Sequence, residues 1–110
     1  MTEGTYLDSI LSYHRDRAEN DLRSLDQLLK EISTKENNRP SFQEKIVAEK
    51  GLSVIAEIKR RSPSKGELKS NLDAVDLAQA YERAGAACVS VLTDYKYFGG
   101  SREALSLIHI

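Results

Sequence analysis

Two short apolar segments, separated by one amphipathic segment, constrain the fold of this chain most. Residues 53–59 and 86–93 are rich in β-branched side chains and are bounded by glycine or polar residues, which favours strands. Between them, residues 72–84 carry apolar side chains at helical spacing, and Gly85 ends that pattern. A strand, a helix and a second strand in this order predict a right-handed βαβ unit with parallel strands.

The two predicted strands are too few to complete a domain. A parallel pair needs cover on both faces, and a closed barrel of eight strand-helix units takes about 250 residues. The chain has 110 residues. We therefore expect the rest of the domain to lie outside this sequence.

The N-terminal part carries the strongest helical periodicity. Apolar side chains between residues 7 and 32 recur at the spacing of one helix face, which predicts one long amphipathic helix. Thr5 and Asp8 can satisfy its free backbone groups as a capping box, so the helix is expected to begin near Tyr6. A polar linker at residues 35–40 and a short helix after Ser41 are predicted next.

Composition and charge indicate an ordinary soluble globular protein. The chain is 40% hydrophobic and 30% charged, and its net charge of -1 gives no reason to expect nucleic acid or an anionic membrane as partner. The one cysteine, Cys88, cannot form an internal disulfide and is interpreted as an inert packed side chain. Neither a signal segment nor a membrane-length apolar run is found, so we expect a small-molecule partner and a cytoplasmic location.

The first predicted strand carries the residues that most suggest chemistry. One of its faces is wholly apolar, whereas on the other face Glu57 and Lys59 follow Ile55 towards the C-terminal end. Parallel barrels form their active sites at the C-terminal ends of strands, where two opposite charges on one side can hold each other ionised. An exposed Glu-Lys couple on an antiparallel edge strand, contributing less than about 1 kcal/mol, is the alternative.

The loop after this strand can grip an anion. Residues 60–66 combine cations, hydroxyl groups, a turn proline and a glycine in the order Arg-Arg-Ser-Pro-Ser-Lys-Gly. A nucleic-acid or phosphorylation segment is the alternative interpretation. It has little support, because the short basic run contains no interleaved aromatic residue.

Two motifs together resemble the indole-3-glycerol phosphate synthase family. Residues 54–66 contain a hydrophobic pair, a Glu and a Lys that flank one apolar residue, and Ser-Pro-Ser; residues 90–101 resemble the second strand of that family and the loop after it. The resemblance covers roughly residues 5–105. It implies an α/β chain that is the N-terminal part of an incomplete TIM (β/α)8 barrel, with a helical extension at residues 1–50 and the first βαβ(α) portion at residues 51–110.

The resemblance also implies a reaction and a set of site residues. The reaction is ring closure of 1-(2-carboxyphenylamino)-1-deoxyribulose 5-phosphate, with loss of carbon dioxide and water, to give indole-3-glycerol phosphate, and no metal or organic cofactor is implied. Lys59 matches an active-site lysine that holds an anionic group of the substrate, and Glu57 matches a glutamate that orients lysine side chains and stabilises a cationic intermediate. Substrate-binding positions are matched by Ser62, Pro63, Leu92 and Phe98. Tyr95 and Tyr97 are interpreted as loop packing.

Several features that the resemblance implies for the family are absent from the sequence. We therefore expect the 110-residue chain alone to be inactive. They are a general-acid lysine after the third strand, a general-base glutamate on a later strand, and phosphate-binding loops after the seventh and eighth strands. Residues 106–110 differ from the family, in which charged residues usually continue the second helix. This difference is what a cut chain or a change of reading frame would produce. The alternatives are another phosphate-sugar barrel enzyme, or a non-catalytic truncated product or interaction module. The oligomeric state is left open.

Overall fold

The computed structural model describes residues 4–35, 38–69 and 71–108, which form six helices and four short strands. By internal packing the chain divides into two units, Met1–Arg39 and Pro40–Ile110. The expected boundary at residue 50 stays a prediction.

The elements are α1 (Tyr6–Glu19), α2 (Leu25–Ser33), α3 (Phe42–Ala48), β1 (Ile55–Ile58), β2 (Arg61–Ser62), β3 (Gly66–Glu67), α4 (Ala74–Arg83), β4 (Cys88–Val91), α5 (Tyr95–Phe98) and α6 (Arg102–Ile108). None of the described helices is both long enough and apolar enough to span a membrane.

The first unit contains two helices where the apolar periodicity predicted one. The predicted start is confirmed, because α1 begins at Tyr6 behind a complete capping box. In that box, the Thr5 hydroxyl accepts from the Asp8 N–H at 3.1 Å, and the Asp8 carboxylate accepts from the Thr5 N–H at 2.9 Å. The predicted continuation to Ile32 is wrong, since α1 ends at Glu19.

Local hydrogen bonds explain the break between α1 and α2. The Asn20 side-chain amide donates to the Asp16 carbonyl at 2.9 Å, and Asp21 accepts from both the backbone N–H and the guanidinium of Arg23. Ser24 then caps α2 by accepting from the Gln27 N–H at 3.2 Å. Short polar side chains of this kind compete with helical hydrogen bonds, which a count of apolar spacings does not register.

The capping box gives a prediction for Asp8. The Thr5 backbone N–H, and after it the Thr5 hydroxyl, lowers the pKa of this carboxyl from its ordinary value of 3.8. Because the folded pKa is lowered, the stabilisation is present above about pH 3.8 and is lost as the pH falls through the lowered pKa. We expect an NMR titration to give an Asp8 pKa that rises partway in Thr5→Ala and fully in Thr5→Pro, which lacks the N–H. Equal pKa values in all three proteins would contradict the capping box.

The second unit is built on a parallel pair of strands, as the sequence predicts. β1 and β4 run parallel in a register that joins Ile55 to Cys88 and Ile58 to Val91. The chain between them contains the β2 and β3 strands and then α4, so the predicted order of strand, helix and parallel strand is confirmed, and its right-handedness stays a prediction. Two further backbone bonds extend the pairing beyond the strands: Ala87 N–H donates to the Val54 carbonyl at 2.9 Å, and Leu92 N–H donates to the Ile58 carbonyl at 3.2 Å.

A small core covers one face of this parallel sheet. Ile58 is only 2% exposed and packs with Ala74 and Ala78 of α4 and with Ala104 of α6. The small alanine side chains let both helices approach the sheet closely. Ile55, three residues before Ile58, is 49% exposed.

Both predicted loops contain short regular elements. Residues 60–71, expected to be irregular, include the antiparallel β2–β3 hairpin, in which Ser62 pairs with Gly66. Residues 94–100, also expected to be a loop, include α5, whose start is capped by Asp94 through a 2.7 Å bond from the Tyr97 N–H. The predicted cap of the next helix is confirmed, because the Ser101 hydroxyl accepts from the Ala104 N–H at 3.1 Å.

The structure changes one prediction about a helix end and does not cover part of another prediction, about the C-terminal residues. Gly51 was expected to end α3, but α3 already ends at Ala48, and Gly51 follows with the predicted positive φ, 90°. Residues 109 and 110, the last two of the segment expected to depart from the family, lie outside the described residues.

Candidate active site

Glu57 and Lys59 lie together at the C-terminal end of β1. Successive side chains of a strand point to opposite faces, and the buried Ile58 between them points at α4 and α6. The two charged side chains therefore lie on the opposite face. The Lys59 ammonium is 3.7 Å from the Glu57 carboxylate, and the side chains are 32% and 46% exposed respectively. At this distance and exposure the pair contributes less than about 1 kcal/mol to stability.

The same face of β4 adds a hydroxyl group and an apolar side chain. Ser90 is the register partner of Glu57, and paired residues of neighbouring strands project on the same side. One step further, the bond from the Leu92 N–H to the Ile58 carbonyl continues the register, so that Leu92 lies beside Lys59. Ser90 in β4 and Leu92 just after it are both half-buried. A carboxylate, an ammonium, a hydroxyl and an apolar group thus meet at one end of the sheet.

Ser62 and Pro63 lie in the hairpin that follows β1. Ser62 is buried, at 9% exposure, and its hydroxyl accepts from the Lys65 N–H at 3.2 Å. Pro63 is half-buried in the same turn. The Ser62 hydroxyl thus shapes the hairpin tip, which keeps the loop close to the end of β1.

The two arginines of this loop bind the protein itself. Arg60 donates to the Leu72 carbonyl at 2.9 Å, ahead of α4. Arg61 donates to the carbonyls of Tyr95 and Lys96 in α5, the second at 3.1 Å. In the positions that the structure gives them, these two guanidinium groups are therefore not directed at a ligand anion, contrary to the expectation for this loop. Lys59 provides the cation on the strand face.

Phe98 is the last residue of α5 and is half-buried. Its helix, α5, follows β4 after three residues and packs against β2, so Phe98 belongs to the loop region after β4. The six candidate residues therefore occupy the ends of the two parallel strands and the loops after them. Ser90 and Arg61 were not among the candidates. The alternation of the second strand was a usable signal for Ser90. Arg61 was noted only as one cation of the anion-binding loop, and no local signal indicated its bonds to α5.

Comparison with known proteins decides the family. The sequence model described as indole-3-glycerol phosphate synthase matches residues 7–110. The chain belongs to the indole-3-glycerol phosphate synthase family. The matched range contains both motifs and all six candidate residues, so the resemblance predicted from the motifs is confirmed.

Individual indole-3-glycerol phosphate synthases agree with this assignment. The protein of that name from Mycolicibacterium gilvum is 40% identical over 110 residues, which is 98% of this chain and 40% of the relative. The Bacillus pumilus protein is 48% identical over 64% of this chain and 28% of its own length. The chloroplastic protein of Arabidopsis thaliana is 62% identical over 50% of this chain and 14% of its own length. The chain thus spans less than half the length of these relatives.

Proposed function

We propose that these residues form the first part of a (β/α)8 barrel, and that the complete protein is an indole-3-glycerol phosphate synthase. Such an enzyme closes the ring of 1-(2-carboxyphenylamino)-1-deoxyribulose 5-phosphate, releases carbon dioxide and water, and forms indole-3-glycerol phosphate. The position of Glu57 and Lys59 carries the proposal. They lie where β1 ends, on the face away from α4 and α6, and barrel active sites form at that end of the strands.

The unfinished sheet supports the barrel. Among the described residues β1 pairs with β4 alone, and the outward-facing Glu57 carbonyl accepts only a long, 3.4 Å bond from the Tyr81 hydroxyl. An apolar groove of about 320 Å³ lies along this edge and is lined by Val54, Ala56 and Tyr81, among others. A further strand and helix would pair this edge and cover this groove, as closure of a barrel requires.

Lys59 has the chemistry to hold an anionic group of the substrate. Its ammonium can face the substrate carboxylate or phosphate and stabilise negative charge while the ring closes. The neighbouring Arg60 and Arg61 are engaged by backbone carbonyls, so they do not compete for that group. Lys59 is therefore assigned to substrate binding and charge stabilisation.

Glu57 is assigned to orienting Lys59 and to stabilising a cationic intermediate. Its carboxylate already faces the ammonium at 3.7 Å, and a carboxylate in a closed site favours an adjacent positive charge. Leu92 and Phe98 are assigned to contact with the aromatic ring of the substrate, whose apolar faces need apolar cover. Ser62 and Pro63 are assigned to the wall of the substrate pocket on the β1 side.

The proposal invokes the phosphorylated substrate as partner. It requires no metal, organic cofactor, nucleic acid or membrane. A cytoplasmic location stays a prediction, and the Arabidopsis thaliana relative is chloroplastic by name.

A hybrid enzyme tests the proposed function. It joins residues 1–110 to the part of the Mycolicibacterium gilvum relative that follows the matched segment, and that segment is 40% of the relative. We expect the hybrid to form indole-3-glycerol phosphate, detected by the fluorescence of the new indole ring, and the 110-residue chain alone to form none. The reason is that the two parallel strands of the described residues cannot close a barrel by themselves.

Two outcomes would contradict the proposal. The first is a hybrid that folds but has no activity, while the Mycolicibacterium gilvum enzyme prepared in the same way is active. This result would contradict the proposed function. Turnover by the 110-residue chain at a rate lost in Lys59→Met would show that the described residues suffice, against the expected inactivity of the fragment.

A non-catalytic truncated product is the second candidate for the isolated chain. It is favoured by the exposed apolar side chains, among them Ile55 at 49% and Val54 at 54% exposure on the open sheet. Surfaces of this kind promote aggregation or a molten state rather than one rigid fold. This candidate concerns the fragment alone and is compatible with catalysis by the complete enzyme.

A further inference from the structure

The contacts of Arg61 join the two loops that flank the Glu57–Lys59 pair. We infer that Arg61 is a positioning residue, which fixes the loop after β4, and with it Phe98, against the loop after β1. The inference rests on the proposed function, because it assigns Phe98 a place at the substrate. Four contacts of one side chain, each to a different group, carry it.

The guanidinium of Arg61 reaches across a large sequence separation. It donates to the carbonyls of Tyr95 and Lys96, which lie 34 and 35 residues further along the chain. Its central carbon lies 4.9 Å from the centre of the Tyr95 ring, a cation–π distance. Arg61, in the loop after β1, thus contacts α5 both by hydrogen bonds and by a cation–π interaction.

Within its own loop, Arg61 is held by Glu67. The two residues are register partners across the β2–β3 hairpin, and the guanidinium lies 3.7 Å from the Glu67 carboxylate. These side chains are 27% and 58% exposed, so the ion pair contributes less than about 1 kcal/mol and favours this direction of the guanidinium without fixing it. Only an arginine has the planar set of donors for two carbonyls, a carboxylate and a ring face at once, since a lysine ammonium is a single point charge.

The end of α5 faces the stems of the two arginines. An added Cβ at Gly99 would lie 3.4 Å from the Arg60 Cβ and 3.4 Å from the Arg61 Cγ, so the gap between Gly99 and these stems is about the size of one methyl group. Phe98 immediately precedes Gly99, so the end of α5 that faces Arg61 is also the end that carries Phe98.

Arg61 itself is assigned no contact with the substrate, since its donors face two backbone carbonyls and the Glu67 carboxylate. Its effect on catalysis would come through the placement of Phe98 relative to Lys59. Phe98 is proposed to contact an aromatic ring that is present before and during the reaction, and loss of such uniform binding raises KM more than it lowers kcat. A purely structural role would differ, because a smaller folded fraction lowers the apparent kcat and leaves KM unchanged.

The test is steady-state kinetics and thermal unfolding of Arg61→Met in the hybrid enzyme. We expect KM to rise at least about fivefold with a smaller fall in kcat. Arg61→Lys, which keeps the charge and the stem, should give an intermediate KM. Arg83→Met serves as the matched control, because Arg83 is an exposed arginine in the last turn of α4.

A double substitution makes the test specific to Phe98. Phe98→Leu should raise KM in the unsubstituted hybrid and add little in the Arg61→Met background, because Phe98 is already displaced there. An unchanged KM in Arg61→Met, or fully additive effects of the two changes, would overturn the inference. If Arg61→Met does not fold, Arg61→Lys replaces it: a raised KM supports the inference, and an unchanged KM overturns it. An inactive unsubstituted hybrid is the separate failure of the proposed function.

Discussion

Replacing Lys59 with methionine in the hybrid enzyme is expected to lower kcat/KM at least about tenfold while the protein stays folded. Methionine keeps an apolar stem of similar length but removes the ammonium that lies 3.7 Å from the Glu57 carboxylate. The cost in stability is small, since a half-exposed ion pair contributes less than about 1 kcal/mol. The lost activity would then report the missing charge at the strand end. Kinetics together with thermal unfolding separate the two effects.

Glu57→Gln should act in the same direction, because it removes the partner charge and keeps the shape of the side chain. Lys50→Met is the control, since Lys50 is exposed and lies ahead of β1. Unchanged kinetics in both Lys59→Met and Glu57→Gln would make the pair a structural ion pair only. The catalytic roles proposed for them would then be lost, whereas the family membership would stand.

The parallel sheet could be predicted because its signals are strong and local. β-branched segments, one intervening helix and a glycine after that helix leave few arrangements other than a βαβ unit. Alternation along the first strand then predicts which side Glu57 and Lys59 share. The structure agrees, since Ile58 between them is 2% exposed and faces the helices.

The short elements could not be predicted in the same way. The break after α1 depends on two single hydrogen bonds, one donated by the Asn20 side chain and one accepted by the Ser24 hydroxyl, and the apolar spacing continues unchanged across it. The β2–β3 hairpin and α5 are too short to show a period. Their positions depend on contacts such as Arg61 with Tyr95, which join residues that are distant in sequence.

Gly100→Ala is expected to destabilise the hybrid enzyme by about 3 kcal/mol, the largest effect on stability among these substitutions. A Cβ built on Gly100 would lie 1.7 Å from the Leu92 carbonyl oxygen and 2.6 Å from its carbon. Both atoms belong to the backbone, so no side chain can turn aside to make room. The backbone would have to move, which would stretch the 2.8 Å bond from the Gly100 N–H to the Asp94 carbonyl.

Gly51→Ala separates this steric effect from the general cost of replacing a glycine. Gly51 has a φ of 90° but no atom within 4 Å of its added Cβ, so only the backbone conformation opposes alanine there. A loss of about 1 kcal/mol is expected at Gly51. Chemical denaturation of both variants measures the difference. Equal losses at the two positions would mean that the close approach of Gly100 to Leu92 does not hold the loop after β4. Since that loop carries Phe98, a larger loss at Gly100 should also come with a higher KM for the substrate.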